Sequence, residues 1–210
     1  MWFNIQIFWV QEFKRGEMGR PAQYQRDEVL EKAMEAFWDG GYTATSMAQL
    51  VKATNLKPGS LYSAFKSKED LFFAVLDYYA EHNNLRFKEA LSENESPLDA
   101  IRSFFNLFAN MITDPESRRG CLLINTILEL ARKDDDVRER VTKYLDANEE
   151  LFRQALVSAQ EKGELSSDRD PGAIAAFLMT NIWGLRVLAG TAPEKERTQA
   201  IVDQLLMILD

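Results

Sequence analysis

The feature that most constrains this chain is the shortness of the break between two apolar-striped segments, at about residues 46–54 and 58–65. Ser46-Met47-Ala48-Gln49 has the form of a capping box, in which a serine side chain serves the N3 amide and glutamine reaches back. Met47, Leu50 and Val51 supply the stripe of a short helix. Thr54-Asn55 then turns the chain, because asparagine tolerates the left-handed conformation of a sharp turn. Pro58 suits the first position of the next helix, where its missing N–H costs nothing. The pattern predicts two short helices joined by a tight turn.

The flanking sequence is helical too. Val29, Leu30, Ala33, Met34 and Phe37 follow helical spacing from Asp27, and Gly40-Gly41 stops the run. Ser67-Lys68-Glu69-Asp70 reads as an N-cap with acids in the first turn, opening a long helix that runs to about Leu91. After the linker from Ser92 to Pro97, helices are expected at about 97–113, 118–132, 135–163, 171–190 and 194–209. No stretch alternates convincingly with period two. The expected fold class is all-α, with about nine helices. The expected division is 1–17 as leader or arm, 18–68 as a three-helix N-terminal domain, 69–92 as a linking helix and 93–210 as a C-terminal helical domain.

Residues 1–17 are of unusual composition. The first ten are apolar apart from Asn4 and Gln6. With no cation ahead of the apolar run they lack the start of a secretory signal, and they are too short to span a bilayer. They read either as an arm or peripheral anchor of the protein, or as leader sequence ahead of a native start at Met18.

A net charge of −8 argues at first against a nucleic-acid partner. Its distribution removes the objection. From Gly40 to Lys68 the cations are Lys52, Lys57, Lys66 and Lys68, and that window contains no Asp or Glu. A local basic surface on an acidic protein can still take phosphates. The rival explanation of four lysines is an ordinary solvated face. Chemistry of other kinds is poorly supplied. The chain has one histidine, His82, and one cysteine, Cys121. It has no HExxH, no Gly-rich phosphate loop and no Ser/His/Asp set. No catalytic residue, metal ligand or cofactor is expected, and a reducing cytoplasm fits the cysteine usage.

In the segment from Pro58 to Phe65, Leu61 and Phe65 are four apart and can face a core. Gly59, Ser60, Tyr62 and Ser63 are left to point outward, and none is acidic. Glycine lets backbone approach a duplex closely. The serine hydroxyls can donate or accept at base edges, and the tyrosine phenol can reach a phosphate. The helix N-terminus presents free amides to a phosphate. The same spacing also fits a plain helical hairpin, and it is the wording of the segment that separates the two.

That wording is specific. Met18-Gly19-Arg20-Pro21, Ala33 to Tyr42, Thr45-Ser46-Met47, Lys57-Pro58-Gly59-Ser60-Leu61-Tyr62 and Phe65-Lys66-Ser67-Lys68-Glu69-Asp70-Leu71 resemble the N-terminal DNA-binding domain of TetR/AcrR-type regulators. The resemblance covers about residues 18–75. It implies a homodimer of all-α subunits on a double-stranded DNA operator, with recognition helices in successive major grooves roughly 34 Å apart. It implies that Thr45 and Ser46 touch phosphate, that Gly59, Ser60 and Ser63 face the groove, and that Tyr62 and Lys68 contact phosphate. Lys57 and Lys66 flank that helix as further phosphate contacts. Arg20 is placed to reach a minor groove. Most members start near Met18, so residues 1–17 depart from the pattern and put the role of Arg20 in question.

For the C-terminal body the resemblance implies a pocket for a small molecule but not its identity. A small, largely apolar effector is expected among Phe104, Phe108 and Trp183, with Cys121, Asn125 and Glu129 at i, i+4 and i+8 on one helix. Each of these is equally compatible with plain core. Gly172, Ala176, Thr180 and Gly184 recur every four residues, as close helix packing requires, and Ile201 and Leu205 add apolar contact. These residues are expected to form the dimer interface, and no membrane partner is expected. The expected activity is repression relieved by effector. The alternatives are a thiol-based redox or electrophile sensor acting through Cys121, beside Arg118 and Arg119, and a helical protein-interaction module without DNA binding.

Overall fold

A computed structural model of the protein describes residues 22–92 and 94–210. Nine α-helices are present among them: α1 (Ala22–Ala44), α2 (Met47–Thr54), α3 (Pro58–Ala64), α4 (Lys68–Ser92), α5 (Pro97–Ile112), α6 (Leu122–Leu130), α7 (Asp135–Glu161), α8 (Pro171–Ala189) and α9 (Lys195–Leu206). Short 3₁₀ turns cover Pro115–Arg119 and Met207–Leu209. The described residues contain no strand. Residues 118–132, expected as one helix, are instead a 3₁₀ turn, a left-handed Gly120 with φ 69°, and α6.

The local chemistry of the ends is as the sequence indicates. Pro97 and Pro171 open α5 and α8 behind the caps Ser96 and Asp170, which accept the amides of Asp99 (3.1 Å) and of Gly172 (2.8 Å). Ser67 caps α4 through the amide of Asp70 at 2.9 Å. Glu69 and Asp70 lie in its positive first turn.

By its internal packing the chain divides into two compact units. One unit holds the described residues up to His82 together with Leu122–Val141. The other holds Asn83–Cys121 and Thr142–Asp210. Helices α4 and α7 each contribute residues to both.

The first unit has Met34, Phe37, Leu50, Leu61, Leu71 and Phe72 fully buried. Phe37 meets Phe72 edge-on with ring centroids 5.0 Å apart, and Tyr42 covers Phe72 at 4.6 Å. The second unit is built on α5, α7, α8 and α9. Ile101, Phe105, Phe152, Leu156, Leu178 and Val202 form its center. Phe87, Phe104 and Phe152 pack around one another at 4.6–5.7 Å.

Candidate nucleic-acid interface

Helix α2 begins where the sequence indicates. The Ser46 hydroxyl accepts the Gln49 amide at 3.3 Å, and the Gln49 side-chain oxygen accepts the Ser46 amide at 2.7 Å. The box is complete, and such a cap is worth about 1 kcal/mol. Asn55 closes the helix in the left-handed region, with φ 56° and ψ 25°. Two residues later Lys57 takes the N-cap position of α3, with Pro58 behind it.

That turn fixes which face of α3 is free. Leu61 and Phe65 are buried, as one stripe of the helix must be. Gly59, Ser60, Tyr62 and Ser63 are exposed, Tyr62 by 50%. A Cβ at Gly59 would meet nothing within 4 Å, so an approaching backbone or base edge finds open space there. Lys57 and Lys66 are exposed at the two ends of the helix. The exposed face of α3 is therefore small, hydroxylic and free of acid, with cations beside it.

Two of the expected phosphate contacts are placed differently. Thr45 is only 3% exposed. Its hydroxyl reaches the Gly41 carbonyl at 2.6 Å and the Ala36 carbonyl at 3.2 Å, so it ties the corner between α1 and α2 and does not face solvent. Lys68 is half-buried, with its ammonium 4.2 Å from the centroid of the Tyr42 ring. Ser46 remains exposed, with its oxygen engaged in the cap. Arg20 lies outside the described residues.

Sequence reasoning missed Arg26. Its guanidinium lies 4.9 Å from the centroid of the Phe65 ring, so α1 packs a cation against the buried C-cap residue of α3. Spacing places Arg26 on the apolar stripe of α1 itself, four residues ahead of Leu30.

The expected effector residues are divided between the two units. Phe104, Phe108 and Trp183 belong to the second unit, where Phe104 and Phe108 stack at 5.8 Å. Asn125 and Glu129 belong to the first unit with the helix-turn-helix. Glu129 is no pocket group: its two oxygens accept the amides of Tyr42 (3.0 Å) and Thr43 (2.7 Å). The i, i+4, i+8 spacing put it on a face without revealing what that face meets. Cys121 is half-buried and precedes the first residue of α6, and does not lie on the helix as expected.

The expected dimer set also divides. Steps of four residues drift around a helix by about 40° each, so Gly172 and Gly184 cannot share a face. Gly172 and Ala176 are half-buried, whereas Thr180 and Gly184 are exposed. The exposed stripe of α8 is Ala173, Phe177, Thr180, Gly184 and Val187, spaced alternately by four and three. Leu205 is 5% exposed and belongs to the core of its own subunit, and Ile201 packs against that core. On α9 the exposed residues include Ala200, Asp203, Gln204 and, just beyond it, Met207, beside the charged Lys195, Glu196 and Arg197 at its start.

A tight helix-turn-helix with an uncharged, exposed second helix, followed by an all-α body, defines a DNA-binding transcriptional regulator of the kind that carries a separate helical C-terminal domain. Residues 29–75 match the family of bacterial regulatory proteins called the tetR family, and residues 97–204 match the tetracyclin repressor-like C-terminal domain. The chain belongs to the TetR family. It is 34% identical over 191 residues to the HTH-type transcriptional repressor ComR of Escherichia coli K12, covering 90% of this chain and 91% of that one. A cysteine mutant of the TetR-family regulator CifR, solved with 26-bp double-stranded operator DNA, is 31% identical with a TM-score of 0.79. That match covers 90% of this chain and 98% of CifR. A TetR regulator from Chloroflexus aurantiacus is 28% identical, covering 88% of this chain and 93% of its own, with the same TM-score. These relatives are regulators and not enzymes, and they favour neither the thiol-sensor nor the interaction-module alternative.

Proposed function

We propose that the protein is a cytoplasmic repressor whose homodimer seats two copies of α3 in successive major grooves of a near-palindromic operator. The observation that carries this is the face of α3. Gly59, Ser60, Tyr62 and Ser63 are exposed together, Lys57 and Lys66 flank them, and Leu61 and Phe65 anchor the helix from behind. Lysines on phosphates give salt-dependent affinity, and the small hydroxylic face leaves room for close approach to base edges. The stripe from Ala173 to Val187 supplies an uncharged surface for a second copy.

Release by a small, largely apolar effector completes the reading. Phe104, Phe108 and Trp183 are the residues proposed to hold it. The Trp183 indole N–H is buried and has no hydrogen-bond partner among the described residues. The Arg186 guanidinium lies 4.7 Å from the centroid of Phe108. A donor and a cation beside aromatic rings suit an apolar molecule carrying an acceptor group. Such a molecule can shift DNA affinity only by its differential affinity for two states of the dimer.

The test is selection of duplexes from a random pool, followed by binding titrations over a range of salt. Enrichment of a two-fold-related sequence, with affinity falling steeply with salt, is expected. Salt-insensitive binding, or enrichment of unrelated single half-sites, would overturn the docking.

A further inference from the structure

Between Gly40 and Lys68 the sequence has no acid, yet the folded protein brings one there. Glu129 projects from α6 onto the two amides that follow the break in α1. Its oxygens accept Thr43 N–H at 2.7 Å and Tyr42 N–H at 3.0 Å. These amides directly follow Gly41, where the chain leaves helical geometry with φ 74° and ψ 165°. The fit is close on both sides. A Cβ at Gly41 would lie 2.9 Å from the Glu129 Oε2 atom. A Cβ at Gly40 would meet the Thr45 hydroxyl at 2.7 Å.

The contact is also tied to a charged group of the DNA-binding unit. Lys68 sits over the Tyr42 ring and attracts the Glu129 carboxylate. Burial raises the Glu129 carboxyl, but the Thr43 hydroxyl and amide, the Tyr42 amide and the Lys68 charge together outweigh it. The net result holds the group below its ordinary carboxylate range. Glu129 is thus an anion when the protein binds DNA. It grips the corner from which α2 departs, at Thr43 two residues ahead of the Thr45 tie and four ahead of the start of α2.

We propose that Glu129 is a positioning residue for operator binding: by clamping the Tyr42 and Thr43 amides from α6, it fixes the α1–α2 corner and hence the pose of the helix-turn-helix. The proposal rests on the docking of α3 described above. It differs from a charge effect in sign. An acid beside Lys68 repels phosphate, so if Glu129 acted by charge alone, its removal would tighten binding to every DNA. If it positions the corner, removal weakens binding to the operator only.

The experiment compares Glu129→Gln and Glu129→Ala with the wild type. The probes are a duplex selected by the wild-type protein and an unselected duplex of equal length. Amide exchange at Tyr42 and Thr43 is followed in parallel. Glu129→Ala is expected to lower the selected-to-unselected affinity ratio by about tenfold, the scale of one charge-assisted hydrogen bond. It should also abolish protection of both amides. Glu129→Gln keeps the shape and one acceptor oxygen, and should fall between; it is the deciding variant if the alanine protein does not fold. An unchanged ratio with protection lost, or equal tightening on both duplexes, overturns the clamp. Ser63→Ala, measured beside them, separates the readings. If it shifts sequence preference while Glu129 variants do not, the clamp alone fails. If Ser63→Ala also leaves preference unchanged, the docking fails.

Discussion

The Thr45 hydroxyl donates to the Gly41 carbonyl at 2.6 Å, across the corner that joins α1 to α2. The same oxygen lies 3.2 Å from the Ala36 carbonyl, and the side chain is closed to solvent. A residue at the start of α2 that resembles a phosphate contact is here a tie within the fold. Thr45→Val keeps the shape and removes the donor, leaving a part-buried carbonyl without it. Thermal unfolding should show a loss of about 1–3 kcal/mol. The salt dependence of DNA binding by the folded fraction should be unchanged. A shallower salt dependence with unaltered stability would return Thr45 to the phosphate.

Lys66 and Tyr62 are both exposed near the free face of α3, but they should differ in kind. A lysine on a phosphate releases a counterion, whereas a neutral phenol does not. Lys66→Ala should therefore flatten the slope of log affinity against log salt by about 1. Tyr62→Phe should weaken binding to all sequences about fivefold, the scale of one hydrogen bond, and leave the slope alone. Equal slopes for wild type and Lys66→Ala would remove that lysine from the interface.

How far the sequence could be followed depended on whether a signal was local. The Ser46 cap, the Asn55 turn, Pro58 and the Leu61–Phe65 stripe are short-range, and each is where its residue chemistry puts it. Contacts between residues distant in sequence were not legible. Glu129 lies 86 residues from Thr43, so nothing near either one signals their bond. For the same reason nothing local signals that Leu122–Val141 packs in one unit with the helix-turn-helix. On α8 a four-residue period in small residues hid the true exposed stripe, because Phe177 and Val187 resemble core residues until burial is known.

Glu31 offers a pH dependence of known sign. Burial raises its carboxyl above the ordinary value, with Glu35 and Glu28 adding to the effect and His82 and Lys32 opposing it. A carboxyl that binds its proton more tightly folded than unfolded lowers stability as pH rises from its ordinary value through the raised one. Glu31→Gln removes that loss. Its melting temperature should exceed that of the wild type at neutral pH. The difference should vanish at a pH below 4. A melting temperature that falls at neutral pH would mean that the Glu31 charge is favourable where it stands.

The stripe on α8 makes the sharpest test of assembly. Ala173, Phe177, Thr180, Gly184 and Val187 carry no charge, and Phe177 is 42% and Val187 56% exposed. Spacing of four and three is the geometry in which two helices lie about 20° apart with side chains interleaved. At Gly184 a Cβ would meet nothing within 4 Å of its own subunit. Gly184→Glu should therefore leave the subunit folded, and helix propensity alone would favour it. In a dimer packed along this stripe, the same change sets a carboxylate against its own copy without a partner. Sedimentation should show monomers at concentrations where the wild type is dimeric. Affinity for a two-half-site duplex should drop at least about tenfold, because the second half-site is no longer reached within one particle. A dimer that persists in Gly184→Glu would place the two-fold axis elsewhere.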